Sequence, residues 1–168
     1  MGVTMSQAIF KRGDFVSLSV EDINTLKEEV TKSPTKRYRY CLHQAHQDSI
    51  QEMVIAMMED SYCRPHSHPQ ASSESYHIIE GELLVLIFND KGKVIDSVRL
   101  NSRENLILRM NNGTIHMPIA LSEIVIYHET ISGPFEKDLM VHYVDWAPRE
   151  DDIEESKLFL NQVKSQYE

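Results

Sequence analysis

Residues 64–83 read RPHSHPQASSESYHIIEGEL, and this stretch decides the reading of the chain. On a β-strand, residues two apart point to the same face. His66 and His68 therefore project together, close enough for both imidazoles to reach one metal ion. Glu74 follows a short loop at the start of the next strand, and antiparallel pairing would set its carboxylate beside the two histidines. His77 is the rival ligand, but alternation puts it on the face opposite Glu74. His116 lies in a later strand, TIHMPIA, placed to return across the same face. Three imidazoles and a carboxylate suit one divalent transition metal: Fe, Mn, Ni, Co or Zn. Four protein ligands in a six-coordinate shell leave positions open to water or substrate, which separates a working site from a closed structural one.

Around this stretch the pattern is that of many short strands. KRYRYCLH and QEMVIAMM precede it, the second a strand rather than a helix because it is short and continuously apolar. SYCRPHSH alternates as a strand, with Pro65 at an edge or irregular position. After Gly81 come two strands around the hairpin turn Asn89-Asp90-Lys91-Gly92. NLILRM, TIHMPIA, EIVIYHET and LMVHYVDW complete the series. Such a series means a sandwich or a barrel. Helical signals are confined to the two ends. Ser19-Val20-Glu21-Asp22 resembles a capping box, Ile23, Leu26 and Val30 share one face, and Ser33-Pro34 stops the helix, predicting it over about 20–31. The tail from 149 returns to helical character through Ile153, Leu158, Leu160 and Val163, and would lie on the barrel or on a partner subunit. The expected organisation is an N-terminal segment with a short helix (1–36), a barrel (37–148) and a C-terminal helical tail (149–168).

Composition narrows the class. At 168 residues the chain fits one domain, and 41% apolar with 26% charged residues is ordinary for a globular protein. A net charge of -9 argues against nucleic acid and anionic membranes as partners. No run is apolar or long enough for a signal peptide or a membrane span. The cytoplasm is the expected compartment, where Cys41 and Cys63 stay reduced and serve packing rather than chemistry.

The motif resembles the cupin family. Its first motif ends His-x-His, three or four residues, Glu, six residues, Gly, and here His66, His68, Glu74 and Gly81 match it. Gly113 and His116 match the heart of the second motif. Asp60, Asn105 and Asn111 replace a glycine, a glycine and a proline at turn positions, where Asp and Asn substitute readily. Ala120 stands where the family has Asn, and five residues rather than three or four separate His68 from Glu74. The resemblance implies a mainly β cupin (double-stranded β-helix, or jelly-roll) barrel, commonly a homodimer. RPHSHPQASSESYHIIEGEL, YHETISGPF and VDWAPRE are further similar to the WbuC family of cupin-fold metalloproteins. That similarity implies bacterial surface-polysaccharide (O-antigen) metabolism.

The ligand expected at the open metal positions is a small anionic or sugar-derived molecule. Arg64 shares parity with His66 and His68 and is the candidate clamp for a carboxylate or phosphate. Tyr76 shares parity with Glu74, and His43 lies where a strand could close over the barrel mouth. These three are the candidate substrate-binding residues. His128 and Glu129 sit on opposite faces, so at most one reaches the cavity. Trp146 is read as a packing residue at the rim. No catalytic residue stands out. Three functions stay open: metal-dependent sugar isomerisation or epimerisation, iron-dependent oxygenation, and non-catalytic sugar binding or sensing.

Overall fold

A computed structural model describes residues 8–167. The first seven residues of the N-terminal segment and the final residue lie outside the described residues. In chain order the elements are β1 (Ala8–Phe10), α1 (Val20–Lys32), β2 (Arg37–Cys41), β3 (Ile50–Met58), β4 (His66–Ser67), β5 (Ser73–Glu80) and β6 (Leu83–Phe88). They continue with β7 (Val94–Leu100), β8 (Ile107–Asn111), β9 (Ile115–Ala120), β10 (Ile124–Ser132), α2 (Lys137–Met140), β11 (His142–Tyr143) and α3 (Ile153–Tyr167).

The strands form two sheets. One runs β1-β2-β3-β10-β5-β8, the other β11-β4-β9-β6-β7. Apart from the parallel β1–β2 pair, the ladders are antiparallel. The chain crosses between the sheets at Gly81, whose φ of +83° places it in the left-handed region that glycine tolerates. The main core lies between the sheets, with Met57, Tyr76, Leu83, Val85 and Val125 among its buried members.

Each sheet is covered on its outer face by a terminal helix. Leu26 and Val30 of α1 pack on Tyr40, Val54, Ala56 and Ile126. Ser19 caps α1: its hydroxyl accepts from the Asp22 N–H, while the Asp22 carboxylate accepts from the Ser19 N–H at 2.9 Å. Leu160 and Val163 of α3 pack on Leu84, Leu86, Phe88, Met117 and Ile119. This double coverage explains the unbroken apolar run LLVLIF in β6, whose residues bury alternately toward the core and toward α3. It also places Trp146, whose ring lies 5.1 Å from that of Phe88 at a 46° tilt and packs in the α3 layer.

Three local expectations are corrected. SYCRPHSH is not a continuous strand: only His66–Ser67 is extended and paired, because Pro65 interrupts the ladder. LMVHYVDW splits into the end of a helical turn and a two-residue strand. Of the four apolar residues expected on the face of α3, Leu160 and Val163 are buried, whereas Ile153 and Leu158 are exposed. No helix among the described residues is long and apolar enough to cross a membrane.

Candidate metal centre

The three histidines come from one sheet and the glutamate from the other. His66 on β4 pairs directly with His116 on β9, with ring centroids 4.5 Å apart. His68, just beyond β4, keeps the parity of His66, and its ring lies 4.8 Å from that of His66. A potential ligand atom on each of the three lies within 4.8 Å of the others. Across the barrel, Glu74 on β5 presents Oε2 at 3.1 Å from His116 Nε2 and 3.6 Å from His68 Nε2.

The backbone fixes the tautomers. His66 Nδ1 meets the Arg64 carbonyl at 2.8 Å, His68 Nδ1 meets the Met140 carbonyl at 2.8 Å, and His116 Nδ1 meets the Thr114 carbonyl at 3.0 Å. A carbonyl can only accept, so each Nδ1 carries the proton and donates it. Each Nε2 of a neutral ring then holds a lone pair facing the cluster, the outer hydrogen bonding found in metal-binding histidines. Burial lowers the pKa of all three imidazoles, that of His116 to about 4, so they are neutral near pH 7. Burial also holds the Glu74 carboxyl well above its ordinary value. Lone pairs facing a carboxylate at 3.1 and 3.6 Å repel unless a cation or a proton stands between them. The donor set therefore fits a divalent transition metal.

The cluster opens into a cavity of about 630 Å³ between the sheets, within the range of small-ligand sites. Tyr76 lines it as parity predicted, with its hydroxyl 3.1 Å from His116 Nε2. His43 lines it too: it is buried, contacts the Glu52 backbone through Nδ1, and its Nε2 has no partner among the described residues. Of His128 and Glu129, the glutamate reaches the cavity. Burial pushes its carboxyl up to about 7 against the pull of Arg39 and Arg37. His77 lies on the outer face, its ring 5.4 Å from that of His128. Cys41 and Cys63 are free, buried thiols on the cavity wall, and burial pushes Cys63 up to about 11, away from the reactive thiolate.

Arg64 is not among the cavity-lining residues, a correction to the parity argument. It lies in the irregular stretch before β4, where alternation does not hold. Its Nη2 donates to the Val144 carbonyl, and its guanidinium stacks over Tyr143 at 5.3 Å. The arginines that do line the cavity are Arg37 and Arg39 of β2. The alternation Arg37-Tyr38-Arg39-Tyr40 carried that signal, since Tyr38 and Tyr40 pack toward α1.

Comparisons with known proteins agree with this architecture. Residues 18–100 match the model of a domain of unknown function, DUF6016. No curated protein matches the sequence. Among similar solved structures is an oxalate oxidase in complex with the substrate analogue glycolate, with a TM-score of 0.51 and 15% identity over 82% of this chain and 75% of that one. A Shewanella oneidensis protein aligns with a TM-score of 0.52 and 11% identity over 70% and 74% of the two chains. CapF with the inhibitor 3-isopropenyl-tropolone aligns with a TM-score of 0.53 and 11% identity over 64% of this chain. The chain spans only 31% of CapF and 26% of a procruciferin, an 11S globulin from Brassica napus. At such identities the likeness speaks for the fold alone: a two-sheet, mainly β barrel of the cupin type with short terminal helices.

Proposed function

We propose that this chain is a metal-dependent cupin that binds or acts on a small anionic or sugar-derived ligand. His66, His68, Glu74 and His116 would hold one divalent transition metal. The observation that carries this reading is the set of three clustered imidazoles, each with Nδ1 tied to a backbone carbonyl, with His68 Nε2 and His116 Nε2 turned to Glu74. A bound metal would supply Lewis acidity toward a carbonyl or hydroxyl. The chain's own groups would do the rest. Tyr76 would orient Glu74 by donating its hydroxyl proton to the carboxylate, and His43 would offer Nε2 to the ligand. The two sheets would exclude bulk water from the reacting groups.

The similarity of residues 64–83 to WbuC-type sequences supports a role in bacterial surface-polysaccharide metabolism, with sugar isomerisation or epimerisation as the leading reaction class. Elemental analysis of untagged protein, purified without a chelating column, tests the metal. About one transition-metal ion per chain is expected, and a chain that stays metal-free after reconstitution would overturn the reading. Turnover of a panel of nucleotide sugars and uronic acids would then separate an enzyme from a binding module.

A further inference from the structure

Arg37 and Arg39 enter the same cavity but differ in their partners. Arg37 is engaged with Glu150 at 2.7 Å. The hydrogen bond of Arg39 is to Met53 Sδ at 3.7 Å, and among the described residues no carboxylate forms an ion pair with it. A thioether is a weak acceptor. Glu129 on the same wall acts on it only at longer range, so this partly buried guanidinium lacks a hydrogen-bonded counter-charge and can take an anion that enters from outside.

Its position sets the ligand's shape. Arg39 pairs with Ile55, Ile55 with Tyr127, and Tyr127 with Ile78. Arg39 therefore stands three strands from β5, which carries Glu74. At roughly 4.8 Å per strand this separates the backbones by about 14 Å. Glu74 also lies two same-face rows along β5 from Ile78, so a ligand that touches both side chains runs along this wall. Glu129 lines the wall between them. It disfavours a dianionic phosphate more than a singly charged, planar carboxylate, which also matches the guanidinium fork.

We propose that Arg39 anchors a carboxylate at the far end of an elongated small acid, whose near end carries oxygen donors facing the His66–His68–Glu74–His116 cluster. The site thereby selects two-ended molecules, such as short dicarboxylates or uronic acids, over one-ended ones. The near end rests on the metal reading above, whereas the Arg39 end stands on its own geometry.

The test is calorimetric titration of the full chain, reconstituted with Mn(II), using succinate, glutarate and adipate, with butyrate as the one-ended control. Arg39→Gln keeps the stem and a polar tip, and Arg39→Lys keeps the charge without the fork. The wild type should bind at least one diacid about tenfold or more tighter than butyrate. Arg39→Gln should lose that preference and Arg39→Lys regain part of it, with metal content unchanged in both. Equal diacid affinity in wild type and Arg39→Gln overturns the anchor, as does a wild type with no preference over butyrate. Elemental analysis of the same samples separates the two readings. A metal-free wild type sinks the metal site, while an Arg39-dependent diacid preference in that protein still upholds the anchor.

Discussion

Glu74 Oε2 and His116 Nε2 meet at 3.1 Å although they belong to different sheets. This contact bridges the barrel, and a dication there would neutralise a carboxylate that burial otherwise penalises. Glu74→Gln keeps the shape and removes the charge. It should weaken metal retention by about tenfold or more, while His77→Ala, on the outer face, should leave it unchanged. Metal content after dialysis against a graded chelator series reads both, and the reverse pattern would mean that His77 replaces Glu74 as the ligand.

His66→Ala and His116→Ala each remove one of three imidazole donors. Most of the bound metal should be lost in either variant. His116 is buried at 1% exposure and packed beside Tyr76, so its truncation should also cost about 1–3 kcal/mol of stability in the metal-free protein. Elemental analysis with chemical denaturation checks both, and full occupancy in either variant would exclude this site.

The stability gained from metal should depend on pH. An unfolded histidine takes up a proton near 6.5, whereas burial keeps His116 neutral down to about 4. Stability linked to neutral His116 is thus fully present above 6.5 and is lost as pH falls toward about 4. Glu74 acts oppositely in the metal-free protein. Its raised pKa favours folding at low pH, below its ordinary 4.5, and that contribution is lost as pH rises through the raised value. A dication needs neutral imidazoles and an ionised Glu74, so it removes the high-pH penalty. The difference in Tm with and without chelator should be largest near neutral pH and shrink as pH falls through the raised value of Glu74 toward about 4, where His116 also takes up a proton. A difference that stays constant over that range would contradict the assignment.

Arg64→Ala should act on stability rather than on ligand affinity. It removes the donor to the Val144 carbonyl and the stack on Tyr143, a loss of about 1–2 kcal/mol. Diacid affinity should match wild type once the variant is folded. A selective loss of affinity would return Arg64 to the ligand site.

Gly81→Ala should destabilise the barrel by about 1–3 kcal/mol. At φ +83° a Cβ would lie 2.9 Å from the Ile124 carbonyl oxygen, where the chain passes between sheets. Thermal melts would show it, and a wild-type Tm would mean that the crossing relaxes.

Local spacing alone was enough to set His66 and His68 on one face, for the capped helix before Ser33-Pro34 and for most strands, whereas His116 was joined to the set by the resemblance to the cupin motifs. Strand alternation and capping act over two to four residues, and the residues that carry them lie side by side in the sequence. The opposed placement of Glu74 and His77 followed in the same way. Other features needed the tertiary structure, because parity says only that two residues share a face, not which face is inside. Arg37, Arg39 and Glu129 turn inward because α1 covers the other side of their sheet, a contact between distant parts of the chain. Arg64 departs because Pro65 breaks the ladder on which parity depends. Leu139 and Met140 sit in a helical turn whose Met140 carbonyl receives His68 Nδ1–H, a pairing across 72 residues that no local pattern contains.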